Sequence, residues 1–237
     1  RSVSAFLLNR SSDLGTCKNE HMHPSDVKEG KIEVIADCDG LLKVDSEKLK
    51  KVNAFGQMMI ASRHGNTPVK KGDKLAGTRI IPLVIEKEKM QKASAICEDG
   101  PILELKEFHK KKVGIITTGN EVYHKRIEDT FTPVIQEKLA EYDTEVIYHE
   151  IFDDNHEKIT KGCLTAIEKG ADLVICTGGM SVDPDDKTPL AIKNTGAEIV
   201  SYGAPVLPGA MFLLSYYKND IPILGLPGCV MYAKRTI

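Results

Sequence analysis

The 237-residue sequence lacks several features that would assign it quickly. Its six cysteines stand at 17, 38, 97, 163, 176 and 229 with no C-x-x-C pair, which argues against a disulfide framework and a structural zinc site. No apolar run approaches the roughly 20 residues that span a bilayer. The formal net charge of −2 gives no basic surplus of the kind nucleic-acid binders show. Neither G-x-G-x-x-G nor G-x-x-x-x-G-K-[ST] occurs, so no Rossmann fingerprint or P-loop is present. The opening residues, Arg1 to Leu8, are too short an apolar stretch for a signal peptide, and a cytoplasmic protein is the default expectation.

What remains is ordinary globular composition, 41% apolar and 28% charged, in a length that fits one large domain or two modest ones. The rhythm changes near Phe108-His109-Lys110. Residues 1–108 read as a smaller α+β region: short strands at Lys31–Ala36 and Gly40–Val44 around a turn, an amphipathic helix from Ser46 to Phe55, a strand at Met58–Ala61, Gly/Pro-punctuated β structure from Thr67 to Leu83, and a helix from Ile85 to Ile96. The first thirty residues are too polar and irregular to assign.

Residues 109–237 alternate apolar strands with helical patterns at βαβ spacing. The expected strands are Val113–Thr118, Glu145–Ile151, Ala171–Cys176, Ala197–Tyr202, Ala210–Tyr216 and Ile221–Leu226. Helices are expected over Pro133–Tyr142, from an Asn155 cap to Lys169, and after Pro189. This pattern predicts an α/β, three-layer αβα fold with a mostly parallel sheet. Ligands in such sheets bind at the carboxyl ends of the strands. The rule brings Thr117–Glu121, Asp153–Asn155, Gly178–Asp186 and Leu226–Cys229 to one edge.

The most informative segment is Thr177-Gly178-Gly179-Met180-Ser181-Val182-Asp183-Pro184-Asp185-Asp186-Lys187-Thr188-Pro189. Two glycines after a buried strand let a ligand approach bare backbone. Thr188 suits an N-cap and Pro189 the first helical position, so amide N–H groups there would attract phosphate. Three aspartates in four residues oppose that attraction unless a divalent cation such as Mg²⁺ intervenes. The same residues also read as a solvated helix start whose acids compensate the dipole. Glu121 reads equally as a cap, His21 and His23 as a surface pair, and Cys229 as a small hydrophobe.

With these four loops in order, the stretch from about Lys112 to Ile237 resembles the molybdopterin-binding domain of molybdenum-cofactor biosynthesis proteins, the fold of MogA, the central domain of MoeA and gephyrin. Whole-chain similarity is nearest to bacterial molybdopterin-binding proteins with a divergent N-terminal region. The resemblance implies Asp186 and Asp154 as catalytic positions. It implies Thr117, Thr118, Gly119, Glu121, Asp153, Gly178, Gly179, Ser181, Pro227 and Gly228 as cofactor-binding, and Asp183 and Asp185 as Mg²⁺ ligands. The implied ligand is molybdopterin or its adenylate, with ATP and molybdate as further reactants. A homo-oligomer and an apo-molybdenum hydroxylase are the implied partners, with no nucleic acid or membrane. Met180-Ser181 and Cys229-Val230 depart from the family pattern, which leaves catalysis and cofactor carriage both open. A nucleotide amidohydrolase or pyrophosphatase of the competence-damage type is the alternative.

Overall fold

The computed structural model describes residues 2–4, 21–28, 30–82, 84–181, 183 and 186–233. The chain divides into two compact units, Arg1–His109 and Lys110–Ile237.

The first unit is built from short antiparallel strands: β1 (Ser2–Ser4), β2 (Met22–Pro24), β3 (Lys31–Ala36), β4 (Gly40–Val44), β5 (Met58–Ser62), β6 (Thr67–Val69), β7 (Lys74–Ile80), β8 (Val84–Glu86) and β9 (Leu103–Glu107). Two helices interrupt them, α1 (Ser46–Asn53) and α2 (Lys87–Ala95). The sheets run β2-β3-β7-β5 and β6-β4-β9, so β3 and β4, adjacent in sequence, belong to different sheets. Asp45 caps α1 by accepting from the Lys48 amide at 3.0 Å. The helix expected from Ile85 begins two residues later. Residues 84–86 pair with β1 and bury Ile85 between exposed neighbours, an alternation that belongs to a strand. Leu42, Val52, Ile60, Leu75, Ile85, Leu103 and Leu105 belong to one core.

The second unit contains β10 (Lys112–Thr118), α3 (Asn120–Tyr123), α4 (Phe131–Ala140), β11 (Glu145–Phe152), α5 (His156–Glu168), β12 (Leu173–Thr177), α6 (Thr188–Asn194), β13 (Glu198–Tyr202), β14 (Leu213–Tyr217), β15 (Ile221–Leu226) and a short 3-10 helix (Gly228–Met231). They form an α/β fold whose six-stranded sheet runs β11-β10-β12-β15-β14-β13. β11, β10, β12 and β15 are mutually parallel, while β14 is antiparallel to both β13 and β15. Strand alternation sends Val113, Ile115 and Ile175 into a core with Ile135 and Leu139 of α4. Ile116, Val174 and Cys176 enter a second core with Ile159 and Cys163 of α5 and Ile192 of α6. Helices thus cover both faces, and each fully buried Ile contributes about 1.5–3 kcal/mol through burial. Asn155 caps α5, accepting from the Glu157 and Lys158 amides at 2.9 and 3.1 Å.

Two helix expectations change. Thr188 is the first residue of α6 rather than its cap; Lys187 holds the cap position without a side-chain hydrogen bond. The Thr188 hydroxyl instead makes a long-range bond back to Gly178, described below. After Gly228 the described residues form only the four-residue 3-10 helix, tightened by Val230 N–H donating to the Pro227 carbonyl at 3.0 Å.

Candidate functional site

β10 lies between β11 and β12, its neighbours in the sheet. The chain leaves β10 toward β11 on one side, and leaves β12 toward the β13–β15 side on the other. The carboxyl ends of β10 and β12 therefore flank the point where connections diverge, the place open α/β sheets offer to ligands. The loops at 118–121, 153–155, 178–187 and 227–229 follow β10, β11, β12 and β15, the four parallel strands. Their parallel pairing puts all four at one edge of the sheet.

At the centre of that edge, Gly178 and Gly179 turn the chain with φ of +84° and +52°. A β-carbon at Gly178 would collide with the Thr118 carbonyl oxygen, and one at Gly179 would stand 2.9 Å from the Thr188 hydroxyl. Both glycines are needed here for backbone shape and for space. The Thr188 hydroxyl donates to the Gly178 carbonyl at 2.8 Å. Its proton being used there, its oxygen accepts from Thr118, whose hydroxyl lies 3.1 Å away. This relay, with Thr118 and Thr188 both buried, fastens the ends of β10, β12 and α6 together.

Beyond the turn, Met180 is not a loop residue in physical terms. It is 3% exposed and packs on Gly225 of β15, where a β-carbon would stand 2.5 Å from its methyl group. Ser181 is exposed, and its amide donates to the Asp186 carboxylate. The Asp186 amide in turn donates to the Asp183 carbonyl at 3.0 Å. Asp186 thus closes the acidic loop on itself. Asp183 is exposed; Asp185 lies outside the described residues. Tyr202 of β13 is near enough to feel Asp186: partial burial first, and that negative charge second, raise its phenol above the usual tyrosine value.

Asp153 and Asp154 part company. Asp153 pairs with Lys158 of α5 at 2.7 Å, while Asp154 accepts from the Asn120 amide at 3.2 Å and so ties the loop after β11 to the loop after β10. Gly119 holds the cap position of α3 and Glu121 lies within it, its carbonyl accepting from the Arg126 amide at 2.8 Å. Pro227 is buried and extended, and Gly228 opens to solvent at the start of the 3-10 helix.

Thr117 faces the other way, into a polar cluster that sequence reading does not find. Thr132 donates to the Asp129 carboxylate at 2.5 Å, and its oxygen lies 2.9 Å from the Thr117 hydroxyl and 3.0 Å from His149 Nε2. Asp129, one residue before the Thr130 cap position of α4, also accepts from the Phe131 and Thr132 amides at 3.0 Å each and so satisfies donors of the first turn. Asp129 three residues before Thr132 is a capping signal, but nothing local points to Thr117 or His149. They meet because parallel pairing and strand alternation place them on the α4 face. Thr117 is therefore a support for the end of β10, held away from the Gly178 turn.

Among the described residues, two buried side-chain oxygens have no hydrogen-bond partner: Asp153 Oδ1 and Thr177 Oγ1. Both belong to residues at the carboxyl edge, one ending β12 and the other following β11. Glycine-lined backbone and an exposed serine fit a phosphate-bearing ligand, while the unpaired Asp153 carboxylate oxygen, an acceptor, fits a hydrogen-bond donor rather than phosphate. For Mg²⁺ the loop supplies carboxylate oxygens of the required kind, although no three acidic, His or Cys side chains converge among the described residues.

Residues 114–237 match the family model described as "Probable molybdopterin binding domain". By sequence, the chain is 36% identical over 85 residues to a competence-damage inducible protein of Bacillus velezensis, covering 36% of this chain and 20% of that protein. It is 32% identical over 105 residues to the corresponding Bacillus cereus protein, covering 44% and 24%. The chain thus spans at most about a quarter of the length of these curated relatives. Among solved structures, the tungsten cofactor synthesizing protein MoaB of Pyrococcus furiosus is 25% identical, with a TM-score of 0.43, over 51% of this chain and 84% of that one. No helix among the described residues is long and apolar enough to cross a membrane. The family match covers more than half of the chain, from Gly114 in β10 to its last residue, and the chain belongs to the molybdopterin-binding domain family.

Proposed function

We propose that this chain binds molybdopterin, or its adenylate, across the carboxyl edge of the β11-β10-β12-β15 sheet and acts in molybdenum-cofactor biosynthesis or maturation. The observation that carries this reading is the Gly178–Gly179 turn pressed on Thr118 at the divergence point between β10 and β12, within the residues that match the family. Backbone at Gly178 and Gly179, with the Ser181 hydroxyl, would receive the phosphate. Thr118, Gly119 and Glu121 on one side, and Pro227 and Gly228 on the other, would border the pterin or nucleotide. Asp153 would offer its unpaired oxygen to a donor on the ligand.

Two roles fit this site. As an enzyme, the chain would use Mg²⁺, held by Asp183 and Asp185, to neutralise charge during phosphoryl or metal transfer, with Asp186 and Asp154 at the reacting group. The step would be adenylylation of molybdopterin by ATP or insertion of molybdate. As a carrier, it would hold the finished cofactor and pass it to an apo-molybdenum hydroxylase, and a homo-oligomer would present several such sites. The bonds of Asp186 to the Ser181 amide and of Asp154 to the Asn120 amide support a shaping role for both carboxylates in either case. An Asp186→Asn chain separates the roles, because the amide oxygen still accepts from Ser181 while the charge is gone. Loss of ATP- or molybdate-dependent turnover with pterin binding retained identifies an enzyme. Unchanged delivery of cofactor to an apo-hydroxylase identifies a carrier.

The local identity to competence-damage inducible proteins favours a second reading, hydrolysis of a nucleotide pyrophosphate or amide at the same edge. Hydrolysis of nucleotides that Asp186→Asn abolishes, in a chain that ignores molybdopterin, would establish it instead.

A further inference from the structure

A second concavity lies within the second unit, along the edge strand β11 rather than at the carboxyl edge. It encloses about 340 Å³, in the range of small-ligand sites. Its wall on the strand side is Tyr148, Glu150 and Phe152, which share one face of β11. Its other wall is one stripe of α5: Lys158, Lys161 and Thr165, continued by Lys169 at the helix end. Gly162 makes the groove deep, since a β-carbon there would collide with the Phe152 ring at 2.5 Å.

Three lysines and one glutamate line this groove, and among the described residues only Lys158 of these lysines is paired with a carboxylate, that of Asp153. Glu150 is occupied, accepting the Tyr148 hydroxyl, and burial and that bond hold the Tyr148 phenol in its neutral form. Lys169 rests over the Tyr148 ring at 4.4 Å, on a π-face and with no carboxylate partner among the described residues. Lys158 leans on Asp153. Lys161 makes no hydrogen bond or ion pair among the described residues. α5 also carries Glu157 and Glu168, but neither lines the aromatic-floored hollow, which is left with Lys161 and Lys169 without a carboxylate partner among the described residues.

We infer that this groove is a second anion site, taking a compact phosphoryl anion such as pyrophosphate, or the phosphate end of a larger metabolite, between Lys161 and Lys169 over the Tyr148–Phe152 floor. Flexible lysines are suited to phosphoryl oxygens as point charges. The inference does not rest on the pterin reading, since none of the residues between which the anion sits belongs to the carboxyl-edge site.

The test is calorimetric titration of the full chain with pyrophosphate, inorganic phosphate and citrate, joined to backbone-amide NMR mapping. Saturable pyrophosphate binding that shifts Lys161, Gly162, Thr165 and Lys169 is expected. Affinity should fall about tenfold or more in Lys161→Gln/Lys169→Gln, and Lys161→Arg should retain it. Should the double variant misfold, Lys161→Gln alone, a change at an exposed residue, should weaken binding about threefold. Absence of saturable binding, shifts confined to Gly178–Ser181, or unchanged affinity in the variants would overturn the site. Citrate bound as tightly as pyrophosphate would overturn its phosphoryl character.

Discussion

The hydroxyl of Thr188 donates to the carbonyl of Gly178 at 2.8 Å, ten residues back along the chain, and so ties the start of α6 to the turn that opens the acidic loop. The loop owes its shape to that contact and to the Thr118 hydroxyl behind it. Thr188→Val keeps the volume and removes both bonds, leaving two buried polar groups unpaired. The expected cost is about 2–3 kcal/mol, or roughly 4–10 °C in Tm, measured by thermal denaturation. A Tm within a degree of the parent would mean that the clip is not what holds the loop.

Thr177, the neighbour of Gly178, should behave in the opposite way. Its hydroxyl is fully buried and unpaired, so Thr177→Val replaces an unsatisfied group by a methyl of similar shape. Stability should stay level or rise by about 1 kcal/mol. A loss of more than that in urea unfolding would show that the hydroxyl has a partner after all.

Asp186 and Tyr202 are electrostatically linked, and the link is directly titratable. Burial first, then the Asp186 charge, raises the Tyr202 phenol. Asp186→Asn should lower the Tyr202 ionisation midpoint, read by ultraviolet absorbance, while leaving it above that of free tyrosine. The sign for stability follows. A phenol that keeps its proton more tightly in the folded state contributes stability in full below the unfolded tyrosine pKa of about 10. That contribution is lost as pH rises through the folded value. In the parent, alkaline unfolding therefore gains from Tyr202 ionisation, and the variant should show a weaker pH dependence in this range. An unmoved Tyr202 midpoint would place Asp186 too far away to matter.

Much of the second unit is legible in sequence because its signals are local. The strand runs ending in Gly119, Gly178 and Pro227-Gly228, the Asn155 cap and the Gly170 stop each carry their own backbone instruction, and βαβ spacing then orders the sheet. What stayed hidden depends on distance in the chain. Thr117, Thr132 and His149 meet across 15 and 32 residues through strand register. Met180 reads as part of a loop, yet it is core because Gly225, 45 positions later, leaves it a seat. Thr188 looks like a helix cap, but a tertiary carbonyl takes its hydroxyl. In the first unit, the run from Ile85 shows helix and strand character together, and pairing with β1 decides in favour of a strand at its start.

The lysine stripe of α5 illustrates the same limit. Lys158, Lys161 and Lys169 carry no motif in sequence, and only the fold sets Tyr148 and Phe152 opposite them. Sequence supplied the cations, and only the sheet edge turns them into a hollow.

The most direct test of the carboxyl-edge site is titration of the full chain with molybdopterin and with its adenylate, with and without Mg²⁺, followed by quenching of pterin fluorescence. Saturable binding is expected, weakened about tenfold in Ser181→Ala at unchanged Tm, because on the proposed reading this exposed residue would receive the phosphate and it carries no part of the core. Dependence on Mg²⁺ would favour chemistry over carriage. Failure to bind either pterin, or equal affinity in the Ser181 variant, would contradict the site as drawn.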